Sequence, residues 1–171
     1  RGLVFLSHSL SPFYPEGMKS FAYEVSRNPE RRVDHIIFPV GNGSLIIGAF
    51  AGFKELSTSR NDLEVPKLHC VQSEASSPIV AAIHNEIWDP KSQSSTVATG
   101  ISVAAPPRLQ QVVDSVLGSG GAGIVVKDSS IIYWQRWLAE NEGIFCEPTS
   151  AAAIAGLAAL HSSGVVLSGD S

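Results

Sequence analysis

The residues with the clearest chemical potential form the turn Gly41-Asn42-Gly43-Ser44, directly after a short apolar run at residues 35–40. An apolar segment rich in glycine and alanine follows at once, so the pattern predicts a strand, a tight turn and the start of a helix. Such a turn can direct several backbone N–H groups at one point, and the positive end of the helix adds to their field. The stretch therefore predicts an anion site, with phosphate as the usual ligand.

The turn leaves a second interpretation open. Its glycines permit positive φ and close backbone approach, and Ser44 is placed either to cap the helix or to donate its hydroxyl to a phosphate. However, the third glycine of a Gly-x-Gly-x-x-Gly motif is missing, and no Gly-Lys-Ser/Thr of a Walker loop follows. The alternative is a plain strand–helix turn in which glycine is needed for geometry alone.

The composition is that of a globular chain, and it argues against several classes of partner. The 171 residues are 44% hydrophobic and 16% charged, which fits a single domain with a real core and argues against disorder. The net charge of −4 and the lack of a basic cluster predict no nucleic-acid partner. No apolar run is long enough to span a bilayer and no signal peptide is visible, so we expect no membrane partner.

Cysteine and histidine positions predict neither a disulfide framework nor a metal site. Cys70 and Cys146 lack Cys-x-x-Cys or metal-ligand spacing, so we expect reduced core thiols in a cytoplasmic protein. Ser150 lacks a Gly-x-Ser-x-Gly elbow, which argues against a hydrolase triad. Four histidines are scattered without ligand spacing: His35, His69, His84 and His161.

Predicted strands and helices alternate along the chain, which indicates an α/β domain with a mainly parallel sheet. In such sheets ligands bind beyond the carboxyl ends of the strands, where Gly41 and Ser44 are expected, together with Ser73 and Glu74. The predicted strands are residues 2–7, 35–40, 67–72 and 124–126. The predicted helices are residues 16–27, 44–56, 78–87, 106–117, 129–143 with Asp128 as the cap, and 148–161. The glycine-rich residues 118–123 are expected to be a flexible link.

Five segments together resemble the fold-type II family of pyridoxal-phosphate enzymes, most closely the threonine synthases. They occur in the family's order and at about its spacing, and the match covers essentially the whole chain. Each motif is loose alone, but five in register are specific for the fold family. The segments are residues 16–24 (EGMKSFAYE), 39–43 (PVGNG), 71–74 (VQSE), 96–101 (TVATGI) and 142–152 (EGIFCEPTSAA).

This resemblance implies a fold, a cofactor and a setting. The fold is a three-layer helix–sheet–helix arrangement with a mainly parallel sheet, as in the family's large domain. Residues 1–171 would then be a single α/β domain and a fragment of a larger two-domain enzyme. The implied cofactor is pyridoxal 5′-phosphate and the implied substrate is a small amino acid. Because family members are often dimers, a homodimer of the full-length protein is expected by analogy.

The resemblance also implies the residues that surround the cofactor. Gly100 and Ile101 match backbone that lines its ring. Glu147 matches a carboxylate near the far edge of the ring, with a helix N-cap or first-turn acid as the alternative. Six consecutive residues match the loop around the cofactor phosphate: Val40, Gly41, Asn42, Gly43, Ser44 and Leu45.

No lysine of the chain stands where the family places the one that holds the cofactor as a Schiff base. That lysine follows a serine, precedes an acidic–basic pair and lies upstream of the matched segments. Lys19 belongs to another motif and is interpreted as a charge on a helix surface. We therefore expect no catalytic residue within the chain, and no catalysis by the chain alone.

The segment before the EGMK helix departs from the threonine synthase pattern. Where that family has Asn-Ser, Pro and then Arg-Leu-Glu-Gly, this chain has His8, Ser9 and then Tyr14 in place of the arginine that clamps the substrate phosphate. A tyrosine hydroxyl is one weak donor where arginine presents a charged fork, so phosphohomoserine is in question as substrate. His8, Ser9 and Asn42 are the implied substrate-binding residues, with a hydrogen-bonded loop histidine as the alternative for His8.

The implied reaction is β- or γ-elimination or replacement on an amino acid, such as the conversion of phosphohomoserine to threonine and phosphate. A serine/threonine dehydratase is one alternative, and a non-catalytic phosphate- or nucleotide-binding α/β module is the other. Dehydratases usually carry a run of glycines in the phosphate loop, so the resemblance favours the synthase branch. A Ser-x-Lys-Asp/Asn-Arg-like stretch upstream of Arg1 in the reading frame would support an enzyme.

Overall fold

The computed structural model describes residues 7–28, 32–60 and 63–171, so the predicted strand at residues 2–7 lies almost wholly outside the described residues. Helices and strands alternate as predicted. The helices are α1 (Phe13–Val25), α2 (Ser44–Ser59), α3 (Pro78–Ile83), α4 (Leu109–Gly118), α5 (Asp128–Trp137) and α6 (Pro148–Ser162). The strands are β1 (His35–Pro39), β2 (Lys67–Ser73) and β3 (Gly123–Val126).

The three described strands form a parallel sheet in the order β1-β2-β3. Phe38 pairs with Cys70 between the first two strands, and Ser73 pairs with Val126 between the last two. Because all three run in the same direction, their carboxyl ends meet at one edge of the sheet. The segments that leave these ends therefore start side by side, as a ligand site at a parallel sheet requires.

The sheet carries a separate apolar cluster on each face, which makes three layers. Side chains alternate along β2, so Leu68 and Cys70 enter one cluster while Val71 enters the other. The first cluster joins the sheet to α1, α2, α3 and α4. The second joins it to α5 and to α6, whose buried residues are three alanines, Gly156 and Leu160. The predicted three-layer fold with a parallel sheet is confirmed.

Two helices approach their neighbours closely because glycine leaves room for them. A Cβ at Gly48 of α2 would lie 2.3 Å from the carbonyl oxygen of Pro15 in α1. A Cβ at Gly156 of α6 would lie 2.3 Å from Cγ2 of Val71 in β2. The close contact of α1 with α2 brings the loop that precedes α1 to the start of α2, where the glycine turn lies.

Several predicted helix limits differ from those found: α1 covers Phe13–Val25 and not residues 16–27, α2 runs three residues past its predicted end, and α5 gives way to a π-helical turn at Leu138–Glu142. The limits of α3 and α4 differ for clear local reasons. The prediction extended α3 to residue 87, but it ends at Ile83, where the amides of His84 and Glu86 both donate to the carbonyl of Ala81. Asn85 then takes a positive φ of 59°, which turns the chain out of the helix. The prediction started α4 at residue 106, but Pro107 disfavours helical backbone at Pro106, and α4 begins at Leu109.

The glycine-rich link before β3 is packed rather than flexible. The amide of Gly121 donates to the carbonyl oxygen of Val116 at 2.9 Å, and a Cβ at Gly121 would lie 1.9 Å from the carbonyl oxygen of Leu68. The Ser119 hydroxyl accepts the Leu68 amide. These glycines let the chain pass tightly under the start of β2.

Both cysteines are free thiols, in different surroundings. Cys70 is fully buried in the first cluster, and this burial raises the pKa of its thiol. Cys146 is half-buried beside the second cluster. No helix of the described residues is both long and apolar enough to cross a membrane.

Candidate functional site

The glycine turn is fixed to the sheet by the residue that precedes it. Val40 donates its amide to the carbonyl of Val71 at 3.0 Å and accepts the side-chain amide of Gln72 at 3.0 Å. Gln72 is fully buried, and its side-chain oxygen accepts the amides of Ile79 and Val80 at the start of α3. One buried amide group thus joins the end of β1, the end of β2 and a helix start.

Gly43 is the N-cap of α2, with a positive φ of 81°. A Cβ at this position would lie 2.1 Å from Cγ2 of Val112 in α4, so glycine is required by both conformation and space. The alternative that Ser44 caps the helix is wrong, because Ser44 is the first helical residue and its hydroxyl donates to the carbonyl oxygen of His8 at 3.4 Å.

The turn presents unpaired backbone donors. Within the described ranges, no protein acceptor takes the backbone N–H groups of residues 41–46, and the first bond of α2 runs from the Ile47 amide to the Gly43 carbonyl at 3.1 Å. The unpaired groups include the helix N-terminus, where the helix dipole favours negative charge. Gly41 itself is buried, while Asn42, Gly43 and Ser44 are half-buried. The donors suit a phosphate group, which has several acceptor oxygens.

A second predicted segment lies against this turn. A Cβ on Gly41 would lie 3.0 Å from the carbonyl oxygen of Gly100 and 3.3 Å from the Cα of Ile101. These residues form a 3₁₀ turn, Thr99–Ile101, in which Ile101 is buried and Gly100 is exposed. The backbone around Gly41 and the backbone around Gly100 are therefore in close contact, with the side chain of Val103 beside them.

The start of α6 completes the group of contacting segments. The Gly100 amide donates to the Thr149 hydroxyl at 3.1 Å, and Thr149 stands two residues after Glu147. Glu147 is the N-cap residue of α6, but its exposed side chain makes no capping hydrogen bond. Its carboxylate is thus available at the edge of the site. Sequence reasoning included Thr149 in a motif without giving it a role.

Asp128 has a role that differs from the one predicted. The N-cap of α5 is Lys127, and the Asp128 carboxylate instead accepts the Thr96 hydroxyl at 2.5 Å and the Val97 amide at 2.9 Å. It also accepts the hydroxyl of buried Ser73, at the end of β2, at 3.3 Å. Asp128 therefore anchors the segment that leads into the Gly100 turn to the carboxyl edge of the sheet.

The predicted substrate residues lie together at the other side of the glycine turn. Asn42 Nδ2 is 3.4 Å from His8 Nε2, and the His8 ring meets the ring of Tyr14 edge-on, with 6.1 Å between centroids. The Ser9 hydroxyl is paired with the Ser7 hydroxyl at 2.8 Å. All three predicted residues therefore belong to one loop–turn contact, although the Ser9 hydroxyl is directed to its own loop.

Lys19 is unsuited to be a reactive amine. Its ammonium group lies 2.6 Å from a Glu16 carboxylate oxygen and 2.5 Å from one of Glu55, in a network that Tyr23 extends by donating to Glu55. The hydrogen bonds from Lys19 to Glu16 and then Glu55 raise the pKa of Lys19. A lysine held protonated between two carboxylates, with a side chain only 15% exposed, is a poor nucleophile for a Schiff base.

A parallel sheet between helix layers, with a turn of unpaired amides at its carboxyl edge, defines the class: α/β domains that receive a ligand at the ends of their strands. The family is more specific. A family model described as "Pyridoxal-phosphate dependent enzyme" matches residues 1–169, and the chain therefore belongs to this family of pyridoxal-phosphate-dependent enzymes. The predicted cofactor of the family is thereby confirmed.

Curated relatives support the same family, and they include threonine synthases. A threonine synthase of Methanocaldococcus jannaschii is 36% identical over 167 residues, which are 96% of this chain and 41% of the relative. A threonine synthase of Methanosarcina acetivorans is 35% identical over 166 residues, 95% of this chain and 41% of the relative. The predicted resemblance to threonine synthases is confirmed. The chain spans less than half the length of these relatives.

Solved structures show the same fold. Threonine deaminase isoform 2 from Solanum lycopersicum superposes with a TM-score of 0.78 at 20% identity, over 99% of this chain and 47% of that one. A fungal L-serine ammonia-lyase from Rhizomucor miehei gives a TM-score of 0.76 at 18% identity, over 95% and 50%. At these identities the likeness concerns the fold alone.

Proposed function

We propose that this chain is the larger part of the cofactor-binding domain of a threonine synthase-like lyase. Its substrate would be a small amino acid that undergoes β- or γ-elimination or replacement, such as phosphohomoserine giving threonine and phosphate. The contact between the backbones of Gly41 and Gly100 is the observation that carries the proposal. It joins the turn with unpaired amides to the segment that family resemblance places against the cofactor ring.

The residues at this edge fit pyridoxal 5′-phosphate. The amides of residues 41–46 would hold the phosphate, with Val40, Ser44 and Leu45 in the surrounding loop. Gly100 and Ile101 would lie against the ring, and Glu147 would stand near its far edge. When bound, the cofactor supplies an electron sink for negative charge on a carbon of the amino acid.

Asn42 and His8 would bind the substrate. Because an amide nitrogen donates, the 3.4 Å contact assigns Nε2 of neutral His8 as the acceptor and places its proton on Nδ1. Nε2 is then the atom at which His8 would take up a proton when substrate displaces Asn42. The two residues sit at the helix N-terminus, whose field also favours a negatively charged group of the substrate.

The reactive lysine would come from a segment outside residues 1–171, and the whole enzyme would be a cytoplasmic two-domain protein that forms a homodimer. The length of the relatives supports this organisation, because residues 1–171 match only 41% of the first two. The sequence of the complete reading frame tests the proposed position of the reactive lysine directly. A Ser-x-Lys-Asp/Asn-Arg-like stretch upstream of Arg1 is expected, and its absence would favour a non-catalytic phosphate-binding module.

A serine/threonine dehydratase is the second candidate, and Tyr14 is the observation that favours it. Tyr14 is 41% exposed, and its ring packs edge-on against His8. It stands where the resemblance expects an arginine for the substrate phosphate. A neutral hydroxyl here suits serine or threonine, which carry no phosphate, better than it suits phosphohomoserine.

The two candidates make different products from different substrates. The complete protein is loaded with pyridoxal phosphate, and borohydride treatment with mass spectrometry identifies the lysine that carries the cofactor. The loaded protein is then given phosphohomoserine, threonine or serine in turn. We expect threonine and inorganic phosphate from phosphohomoserine. A 2-oxo acid and ammonia from threonine or serine would identify the dehydratase instead, and failure of the complete protein to bind the cofactor would overturn both.

A further inference from the structure

Arg108 connects α4 to the loop that carries His8. Its Nε donates to the carbonyl oxygen of Ser9 at 3.0 Å, and its Nη2 donates to the carbonyl oxygen of Ser11 at 2.8 Å. Its Nη1 donates to Gln111 on the next turn of α4 at 3.2 Å. The guanidinium therefore spans two carbonyls of one loop that are almost a hundred positions away in the sequence.

The bonds of Arg108 are to neutral acceptors. In the described part of the chain, no carboxylate lies within ion-pair distance of this guanidinium, whose side chain is half-buried. Arginine has a rigid planar fork, so it fixes the relative position of two acceptors in a way that a flexible ammonium does not. The geometry is that of a clamp on the loop backbone and not that of a surface ion pair.

The same helix also supports the glycine turn. Arg108 is the N-cap residue of α4, and its carbonyl oxygen accepts the amide of Val112, one turn later, at 3.1 Å. Val112 occupies the space where Gly43 lacks a Cβ, while Arg108 holds Ser9 and Ser11. The N-cap and first turn of α4 thus contact both segments that meet where His8 lies against Asn42.

We propose that Arg108 is a positioning residue for substrate recognition: its fork fixes the His8–Ser11 loop so that His8 faces Asn42. This inference rests on the proposed function, because it takes His8 and Asn42 as substrate-binding residues. The fork acts on the loop and not on the amides of residues 41–46. It therefore governs affinity for the amino acid and leaves affinity for the cofactor unchanged.

Hydrogen exchange tests the clamp without any turnover. The amides of Leu10 and Ser11 donate to the carbonyl of Ser7, so they report whether the loop is ordered. In Arg108→Met and Arg108→Lys, we expect their exchange to accelerate about tenfold, the size expected for loss of one charge-assisted hydrogen bond. Exchange in β2 should not change. Arg136→Met, at an exposed position of α5, is the matched control and should leave the loop unaffected.

Kinetics of the complete, cofactor-loaded protein test the consequence. Both Arg108 variants should raise KM for the amino acid about tenfold, with kcat within a factor of about three and cofactor affinity within a factor of about two. A purely structural role would lower cofactor affinity and the thermal midpoint together. If Arg108→Met does not fold, Arg108→Gln takes its place.

Three results would overturn the inference. Full protection of Leu10 and Ser11 in Arg108→Met would show that the loop needs no clamp. Normal protection and normal KM in Arg108→Lys would show that the charge matters and not the fork. Equal losses of cofactor and amino-acid affinity would show a structural role. If the unaltered protein converts no amino acid, the proposed function fails, and the exchange result alone then decides whether Arg108 positions the loop.

Discussion

Among single residues, position 43 is the one at which the structure most clearly requires glycine. Its φ of 81° disfavours any side chain by about 1–2 kcal/mol, and overpacking against Val112 adds about 1–3 kcal/mol. We expect Gly43→Ala to lower the free energy of unfolding in urea by about 2–5 kcal/mol and to weaken binding of pyridoxal phosphate. Gly17→Ala is the control, because nothing lies within 4 Å of a Cβ there.

The control should change stability in the opposite direction. Gly17 lies in the exposed part of α1, where alanine stabilises a helix by about 0.5–1 kcal/mol relative to glycine. Equal urea midpoints for Gly43→Ala and the unaltered protein would show that position 43 does not require glycine.

Asp128 gives a second prediction at this scale. Asn offers one acceptor oxygen where the carboxylate accepts from Ser73, Thr96 and Val97, so Asp128→Asn leaves at least one partly buried donor unpaired. The expected loss is about 1–3 kcal/mol of unfolding free energy, with weaker cofactor binding because the Gly100 turn loosens. Asp114→Asn, on the exposed surface of α4, should change neither. Unaltered cofactor affinity in Asp128→Asn would show that the turn is held by other contacts.

The glycine turn could be predicted from the sequence because everything that makes it a turn is local. A strand pattern, Gly41 and Gly43, and an apolar helix pattern are adjacent. The roles of Asp128 and Arg108 could not be predicted, since the partners that define them are between 31 and 99 positions away. A charged residue before a helix fits an N-cap by local rules, and only the fold shows that the Asp128 carboxylate is directed elsewhere.

At the scale of elements, the alternation of strands and helices was readable because the apolar periods of 2.0 and 3.6 residues differ. Helix ends were read less well. Residues 84–87 continue the pattern of α3, but the Ala81 carbonyl is already taken by two amides and Asn85 turns the chain away. The contact between α1 and α2 depends on Gly48, because a side chain there would collide with the backbone of Pro15. The sequence alone does not show that α1 packs at this position.

Gln72 is the residue on which three elements depend. Gln72→Leu removes the acceptor for the amides of Ile79 and Val80 and the donor to Val40, all in a buried setting. We expect a loss of about 2–4 kcal/mol of unfolding free energy, because each unpaired buried group costs about 1–3 kcal/mol and the loop relaxes in part. Chemical denaturation measures it.

Gln110→Leu is the matched control for this change. Gln110 is exposed on α4 and donates only to Asp114 on the same helix, so a change within about 0.5 kcal/mol is expected. A Gln72→Leu protein as stable as this control would mean that the freed amides of α3 find other acceptors.

At the scale of the whole molecule, the two edges of the sheet have different roles. The carboxyl edge gathers the glycine turn and the segments predicted to touch the cofactor. The amino edge gathers histidines that the sequence shows as scattered: His35 stacks on His69, with 2.8 Å between His35 Nδ1 and His69 Nε2. Asp170, near the other end of the chain, reaches His35 Nε2 at 3.3 Å. Their grouping follows from strand pairing, which no spacing rule for metal ligands would detect.

The bonds at this edge determine where the protons are. The Ala122 amide donates to His69 Nδ1 at 3.1 Å, so neutral His69 carries its proton on Nε2 and donates it to His35 Nδ1. The remaining proton of His35 is then on Nε2, towards Asp170. A further proton on His69 would break the bond from Ala122. Burial, followed by the charges of His35 and Lys67, lowers the pKa of His69 from 6.5 to about 4.

The free energy of unfolding should therefore decrease as the pH is lowered below about 6.5. The unfolded chain takes up the proton of His69 near pH 6.5 and the folded chain only near pH 4, so between these values the unfolded state binds more protons. The free energy of unfolding should drop by up to about 3 kcal/mol across this window and should not depend on His69 above it. The hydrogen bond from the Ser171 amide lowers the pKa of Asp34. Asp34 therefore affects stability only at pH values below the range between 4 and 6.5 in which His69 acts.

Urea unfolding at pH 7, 6 and 5 measures this dependence, and His69→Asn removes it. An Asn oxygen can still accept the Ala122 amide, so the variant should be less stable at pH 7 but lose much less stability between pH 7 and 5. His84→Asn, at an exposed position, should keep the dependence of the unaltered protein. Parallel pH profiles for the unaltered protein and His69→Asn would place the acid sensitivity elsewhere. Their divergence would show that His69, at the amino edge opposite the proposed cofactor site, sets the acid sensitivity of the whole domain.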